Sequence, residues 1–278
     1  MAGQSEMTSP VPVRGSKPGA KRARARRRVD LLIASALPVL ILAVWQTVGS
    51  IGLVESMFLP TPWQIVKGFR ELAVTGELFQ HIGISLGRAA VGFSVGGAAA
   101  FVMGIWTGFS RRAEDMIDPS VQWLRMIPNL AIGPLIILWF GFSETSKIII
   151  IAVGSFFPIY INTFLGIRSV DNKLYEVSRV LSFNSFQQVR RLVLPSSLPH
   201  LLLGVRLSLA ISWLSLVVAE LIGASSGVGH LILYASQNAR TDLVFVGVIV
   251  FAVVGKAVDS LVRYLDRKWL KWRDGYRG

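Results

Sequence analysis

The spacing of charged residues constrains this chain more than any other feature. Asp30 and Glu55 enclose 24 uncharged residues (31–54), Arg88 and Arg111 enclose 22, Arg125 and Glu144 enclose 18, and Lys147 and Arg168 enclose 20. About 20 apolar residues in a helix cross the roughly 30 Å of bilayer hydrocarbon. These four stretches therefore read as transmembrane helices. Two further apolar stretches carry charges: 198–223 holds Arg206 and Glu220, and 243–262 holds Lys256 and Asp259. Charges near a helix end can snorkel to the interface, so both count as spans. The sequence predicts an all-α polytopic membrane protein with six transmembrane helices over 30–278, behind a disordered basic tail, 1–29.

Composition agrees. Only 16% of residues are charged and 52% are hydrophobic, against roughly 25% charged in an average soluble domain. That excludes a soluble enzyme by lack of surface charge and a disordered chain by excess of apolar area. The net charge is +13, and 24 of the 29 Lys and Arg fall in the tail, in 110–125, in 168–206 and in 256–278. The other side keeps Lys67, Arg70, Arg88, Lys147 and Arg240. The positive-inside rule then places both termini in the cytoplasm. The first apolar run is too long for a signal peptide, and no A-x-A-like site follows it. The tail reads as a solvated segment beside anionic lipid heads.

Along the chain, 53–82 reads as an external connection. Within it, Thr61 suits an N-cap and Pro62 a first turn, so 63–75 reads as a short amphipathic helix. The second span has a small residue every four positions: Gly92, Gly96, Ala100, Gly104 and Gly108. Such a stripe lets helix backbones approach closely, here within one chain in preference to between subunits. Pro128 and Pro134 should kink or break the third span, because each removes a donor and crowds the preceding turn. Phe157-Pro158-Ile159-Tyr160-Ile161-Asn162 repeats the theme in the fourth. Broken helices at membrane depth are tolerated where backbone faces protein or a watered cavity. Each of these sites is either a mechanical kink or part of a pathway.

The cytoplasmic connection 168–197 is patterned. Val170, Leu174, Val177 and Leu181 recur at helical spacing; Ser182-Phe183-Asn184-Ser185 breaks the run; Phe186, Val189, Leu192 and Val193 resume it. Leu194-Pro195-Ser196-Ser197-Leu198-Pro199 is expected to stop the second helix and restart the chain into the fifth span. Two short helices with apolar stripes outside the membrane need a surface to bury against.

This loop resembles the signature of bacterial ABC importer permease subunits. That signature runs Glu-Ala-Ala, a Gly four residues after the second Ala, nine residues, and an Ile-x-Leu-Pro-like end. Here it reads Glu176-Val177-Ser178, Ser182, residues 183–191, and Leu192-Val193-Leu194-Pro195, with the spacing kept and three residue types changed. Asn184 in the same turn tolerates a left-handed conformation where the family glycine is absent. Leu138-Trp139-Phe140-Gly141, Gly166-Ile167-Arg168, Val218-Ala219-Glu220 and Ser226-Gly227-Val228-Gly229 are similar to the nitrate, sulfonate and taurine branch, aliphatic sulfonate permeases above all. The resemblance covers about 35–272. It implies a path for a small anionic solute brought by an extracytoplasmic binding protein. ATP and magnesium would be bound by two ATP-binding cassette subunits, with no cofactor in this chain. It further implies coupling to the ATPase through Glu176, Val177, Leu181, Ser182, Phe186, Leu194 and Pro195. One six-span unit without a second half implies a homodimer.

Other chemistry finds little footing. No G-x-x-x-x-G-K-[ST] loop is present, so the chain is not expected to hydrolyse ATP itself. His81, His200 and His230 are scattered without metal-ligand spacing. The basic tail lacks the aromatics of a nucleic-acid binder. The candidates for a translocation path are Arg125, Asn129, Asn162 and Glu220. Glu220 either faces a cavity or partner at membrane depth or lies in water at the outer interface. Arg125 either attracts an anionic substrate or anchors the cytoplasmic end of its span. Lys256, Asp259 and Arg263 are spaced to pair along one helix face. The rival readings are the same machinery for taurine, nitrate or another small solute, and a secondary transporter driven by an ion gradient. The latter needs no apolar cytoplasmic loop.

Overall fold

The computed structural model describes residues 36–269. The tail 1–29, the start of the first predicted span and residues 270–278 lie outside the described residues. The chain forms two compact units, one up to Val54 and one from Glu55 onward. The first contributes an apolar helix, α1 (Ala36–Ser50).

In the second unit, α2 (Pro62–Thr75) starts as the sequence requires. The Thr61 side chain accepts from Gln64 N–H and the Gln64 side chain accepts from Thr61 N–H, a reciprocal capping box, with Pro62 in the first turn. Gly76, at φ +81°, both ends α2 and opens α3 (Glu77–Phe109). The α3 helix is longer than the expected span and takes Glu77 and Arg88 into its body. It is followed by α4 (Arg111–Leu124), α5 (Asn129–Phe140), α6 (Glu144–Arg168), α7 (Asn172–Val180), α8 (Ser185–Gln188), α9 (Leu194–Gly223), α10 (Val228–Gln237) and α11 (Thr241–Trp269).

Among the described residues, four helical stretches are long and apolar enough to cross a membrane: α3, α6, the run 185–223 and the bulk of α11. The predicted third span, between Arg125 and Glu144, holds only the 12-residue α5, which meets α4 at 96°. The break falls at 125–128, where Pro128 serves as N-cap of α5; Pro134 is absorbed inside α5. Residues 111–124, expected as loop, form a helix packed on α3 and α6. Two of its acids find partners there: Glu114 pairs with Arg168, and Tyr160 Oη donates to Asp118 Oδ1 at 3.1 Å. Val121 joins Ala100, Ile159 and Tyr160 in one apolar cluster.

The centre of this unit is α3 against α6 and α6 against α9. A Cβ at Gly92 would lie 2.6 Å from Ile151, one at Gly96 would lie 2.1 Å from Ala152 O, and one at Gly104 would lie 2.7 Å from Thr163. The small-residue stripe is thus spent on packing within the chain. On the other side of α6, Ser208 Oγ donates to Ser155 O at 2.7 Å, and Gly204 meets Asn162. The α11 helix closes on α9 through Trp213, whose Nε1 donates to Phe251 O at 3.2 Å. Asp259 is shared by Arg263, four residues on, and Arg206 of α9.

The expected stop at Leu194-Pro195 does not occur. Residues 185–223 form one 39-residue helix. A π-helical turn over Val189–Val193, with Leu194 N–H donating to Val189 O five residues back, widens the helix just ahead of the two prolines. That register change accommodates Pro195, which has no N–H of its own and would otherwise crowd the preceding turn.

Candidate functional site

Two regions carry polar chemistry. One lies where α3, α6 and α9 come together near the start of α6 and the end of α9. Glu220 is fully buried there, with Arg88 at 5% and Lys147 at 4% exposure. The Glu220 carboxylate accepts from Ser85 Oγ (2.8 and 2.9 Å), Arg88 Nη1 (2.8 Å) and Gly229 N–H (2.8 Å). Arg88 also donates to Glu144 through Nε and Nη2, both at 2.7 Å, and to the Ser226 carbonyl at 2.5 Å. Lys147 Nζ completes the set with Glu144 at 2.9 Å. The buried Arg88, Lys147 and Glu220 and the half-exposed Glu144 balance in charge.

The same groups hold the turn between α9 and α10. Val228 N–H donates to Ser85 Oγ and Gly227 N–H to His81 Nδ1, each at 2.9 Å. With Gly229 N–H on Glu220, the amides that open α10 are satisfied, and a carboxylate sits at the positive end of its dipole. Gly227, at φ +108°, leaves no room for a side chain: a Cβ would fall 2.2 Å from Glu220 Oε1. At the far end of α10, Arg240 pairs with Glu71 of α2 and with Asp242. Its hydrogen bonds to Asp242 and then Glu71 raise its pKa above the ordinary guanidinium range.

The second region is the loop 168–197. Asp171 caps α7 by accepting from Lys173 N–H at 2.9 Å, and Asn184 caps α8 in a capping box with Gln187. One face is anchored: Val170 and Val193 cluster with Ile167, backed by Ile105, Tyr175 and Leu192. Ser178 is buried and accepts from Gln188 Nε2 at 3.2 Å, tying α7 to α8. The other face is bare. Val177 (54% exposed), Val180 (84%), Leu181 (58%) and Phe186 (70%) present their side chains outward, and Glu176 and Leu194 are exposed beside them. The predicted stripes therefore divide, Val170, Leu192 and Val193 inward and Val177, Leu181 and Phe186 outward. Ser182 itself takes the left-handed conformation, φ +53°, while Asn184 stays extended. Phe183 is half-buried beneath the Arg191 guanidinium, 5.6 Å from the ring.

The remaining sequence candidates are dispersed. Arg125 is exposed at the C-terminal end of α4. Asn129, first residue of α5, donates from Nδ2 to Ser215 Oγ of α9. Asn162 is buried between α6 and α9 and donates to Pro158 O of its own helix at 2.8 Å. Charge spacing marked Arg88, Glu144 and Lys147 merely as span boundaries. The signal that points to them is two bases and two acids at the ends of three apolar helices, on the side where Lys and Arg are scarce.

Residues 100–271 match the family model for the binding-protein-dependent transport system inner membrane component. The chain is 53% identical over 277 residues to the permease protein SsuC of Bacillus subtilis (strain 168), named for aliphatic sulfonates transport, covering 100% of this chain and 98% of that one. It is 44% identical to SsuC of Escherichia coli (strain K12), over 86% and 91% of the two chains. It is 32% identical to the taurine transport system permease protein TauC of the same organism, over 88% and 90%. An inward-facing MetNI methionine ABC transporter shares the fold, with TM-score 0.53 and 19% identity over 69% of this chain and 97% of that one. A polytopic helical chain with a two-helix loop that leaves its apolar face uncovered, matched end to end by transport permeases, belongs to the family of binding-protein-dependent transport system inner membrane components, a transport subunit and not the ATPase.

Proposed function

We propose that this chain is the membrane-spanning half of an ATP-driven importer for aliphatic sulfonates. It works as a homodimer with two ATP-binding cassette subunits that bind ATP and magnesium, and an extracytoplasmic binding protein delivers the solute. The six-crossing topology with both termini cytoplasmic belongs to the same reading and rests on the Lys and Arg distribution. The observation that carries it is the loop 168–197, which is anchored through Val170 and Val193 while Val177, Val180, Leu181 and Phe186 stand uncovered. Apolar side chains held on a rigid base outside the membrane match the groove of a soluble partner. Glu176 and Ser182 lie on that face, and Leu194 and Pro195 lie where it joins the spanning helix.

Sulfonate as the solute is supported by the end-to-end likeness to SsuC. The test is to co-express the chain with its cognate ATPase and binding protein in a host lacking sulfonate import. Growth on an aliphatic sulfonate as sole sulfur source, and ATP-dependent uptake of the labelled compound, are expected. Uptake that persists in ATP-free proteoliposomes under an ion gradient would replace this reading with a secondary transporter.

A further inference from the structure

The turn that joins α9 to α10 is fastened to a histidine. Gly227 N–H donates to His81 Nδ1 at 2.9 Å. A ring nitrogen accepts a hydrogen bond only while it carries no proton, so this bond requires the neutral imidazole with Nδ1 bare. Protonation would set two N–H groups face to face. The next two amides are held by other groups, Val228 by Ser85 Oγ and Gly229 by the Glu220 carboxylate, and neither hold depends on the imidazole.

His81 is half-buried and lines a cavity of about 590 Å³ between α2, α3, α10 and α11. The His230 ring lines the same cavity, 6.3 Å away between centroids. Its Nδ1 is buried without a hydrogen-bond partner among the described residues, so a protonated His81 has an unused acceptor beside it. The charged and titratable groups around His81 are Glu77 and Arg88 on its own helix, Glu220 of α9, His230 and Tyr234 of α10, Glu71 of α2 and Arg240 just before α11. Arg88 and Glu220 are committed to each other, and Arg240 to Glu71 and Asp242.

We propose that His81 is a proton-operated latch on the turn between α9 and α10, shut on Gly227 N–H while its ring is neutral and released when its ring takes up a proton. Imidazole changes charge between about pH 5 and 8, so the latch is shut at the alkaline end of that range and opens toward the acid end. Gly227 sits at φ +108°, a conformation that glycine leaves as readily as it adopts. Release therefore loosens the turn at one point, while Ser85 and Glu220 keep hold of α10. The device is built into the fold of this chain and stands whatever solute the chain carries.

Amide hydrogen exchange of the full chain in detergent tests it, read by mass spectrometry on the segment 224–231 and corrected for the intrinsic pH dependence of exchange. Wild type should lose protection about tenfold or more between about pH 8 and about pH 5.5. His81→Asn places an oxygen close to the position of Nδ1 and does not titrate, so its protection should show no pH step. His81→Leu offers no acceptor and should be poorly protected at both values, again without a step. Wild-type protection that is the same at both values, or a step that persists in either variant, overturns the latch.

Discussion

Arg88 and Glu220 meet at 2.8 Å across the contact of α3 with α9, the carboxylate fully buried and the guanidinium nearly so. Removing one side leaves an uncompensated buried charge, which costs about 3–5 kcal/mol. Arg88→Met is therefore expected to lower thermal stability of the solubilised protein strongly. Glu220→Gln, which keeps an acceptor for Ser85 and Gly229, should lose less. A double variant, Arg88→Met with Glu220→Met, should recover part of the loss. Thermal unfolding of wild type, Arg88→Met, Glu220→Met and the double variant as a double-mutant cycle checks this; additive losses would contradict the pairing.

Ser182 offers the opposite case, a residue held in a conformation it does not favour. At φ +53° a non-glycine residue carries roughly 1–2 kcal/mol of steric cost. Ser182→Gly should relieve about 1 kcal/mol of that after the added chain entropy of glycine is counted. Ser182→Pro should disrupt the turn, since it fixes φ near −65° and deletes the N–H that donates to Arg179 O at 3.0 Å. Limited proteolysis of the loop orders the three proteins: the glycine variant most resistant, the proline variant least.

Glu176 is exposed in the chain alone, so Glu176→Ala should leave membrane insertion and melting unchanged. Its effect belongs to the assembled complex, where the cost lies between the ~0–1 kcal/mol of an exposed pair and the ~3–5 kcal/mol of a buried one. Co-purification with the ATPase subunit and uptake of labelled solute read it out. Wild-type values in both would remove Glu176 from the coupling surface.

Gly96 and Gly87 differ in what surrounds them. A Cβ at Gly96 would collide with Ala152 O at 2.1 Å, while one at Gly87 would meet nothing within 4 Å. Gly96→Ala should cost about 1–3 kcal/mol or more, because backbone must move apart. Gly87→Ala should be neutral or slightly stabilising. Expression level and melting temperature in detergent distinguish them.

Features written in local chemistry were legible before the structure. Thr61 and Pro62 announce α2, the repeat from Gly92 to Gly108 announces a close helix pair, and Ser182–Ser185 marks the turn between α7 and α8. What local pattern could not supply was pairing over distance. Arg88 and Glu220 are 132 residues apart, and Glu114 finds Arg168 only once α4 lies along α6. Without those partners, 111–124 reads as charged loop and Glu220 as an ambiguous acid. The prolines at 195 and 199 misled for another reason: a π-turn over 189–193 accommodates Pro195, and Pro199 is carried inside the continuing α-helix. No hydrophobic period signals a π-turn.

That uninterrupted helix has a mechanical consequence. Phe186, on the uncovered face of the loop, and Glu220, in the buried charge cluster, are carried by the same 39-residue rod, about 51 Å apart along its axis. A stiff body of that length converts angle into distance. If it tilts by about 5° about its foot, its head travels about 4 Å, more than the length of any hydrogen bond to Glu220. Displacement at one end of this rod is thus felt at the other, where Arg88 grips Glu220.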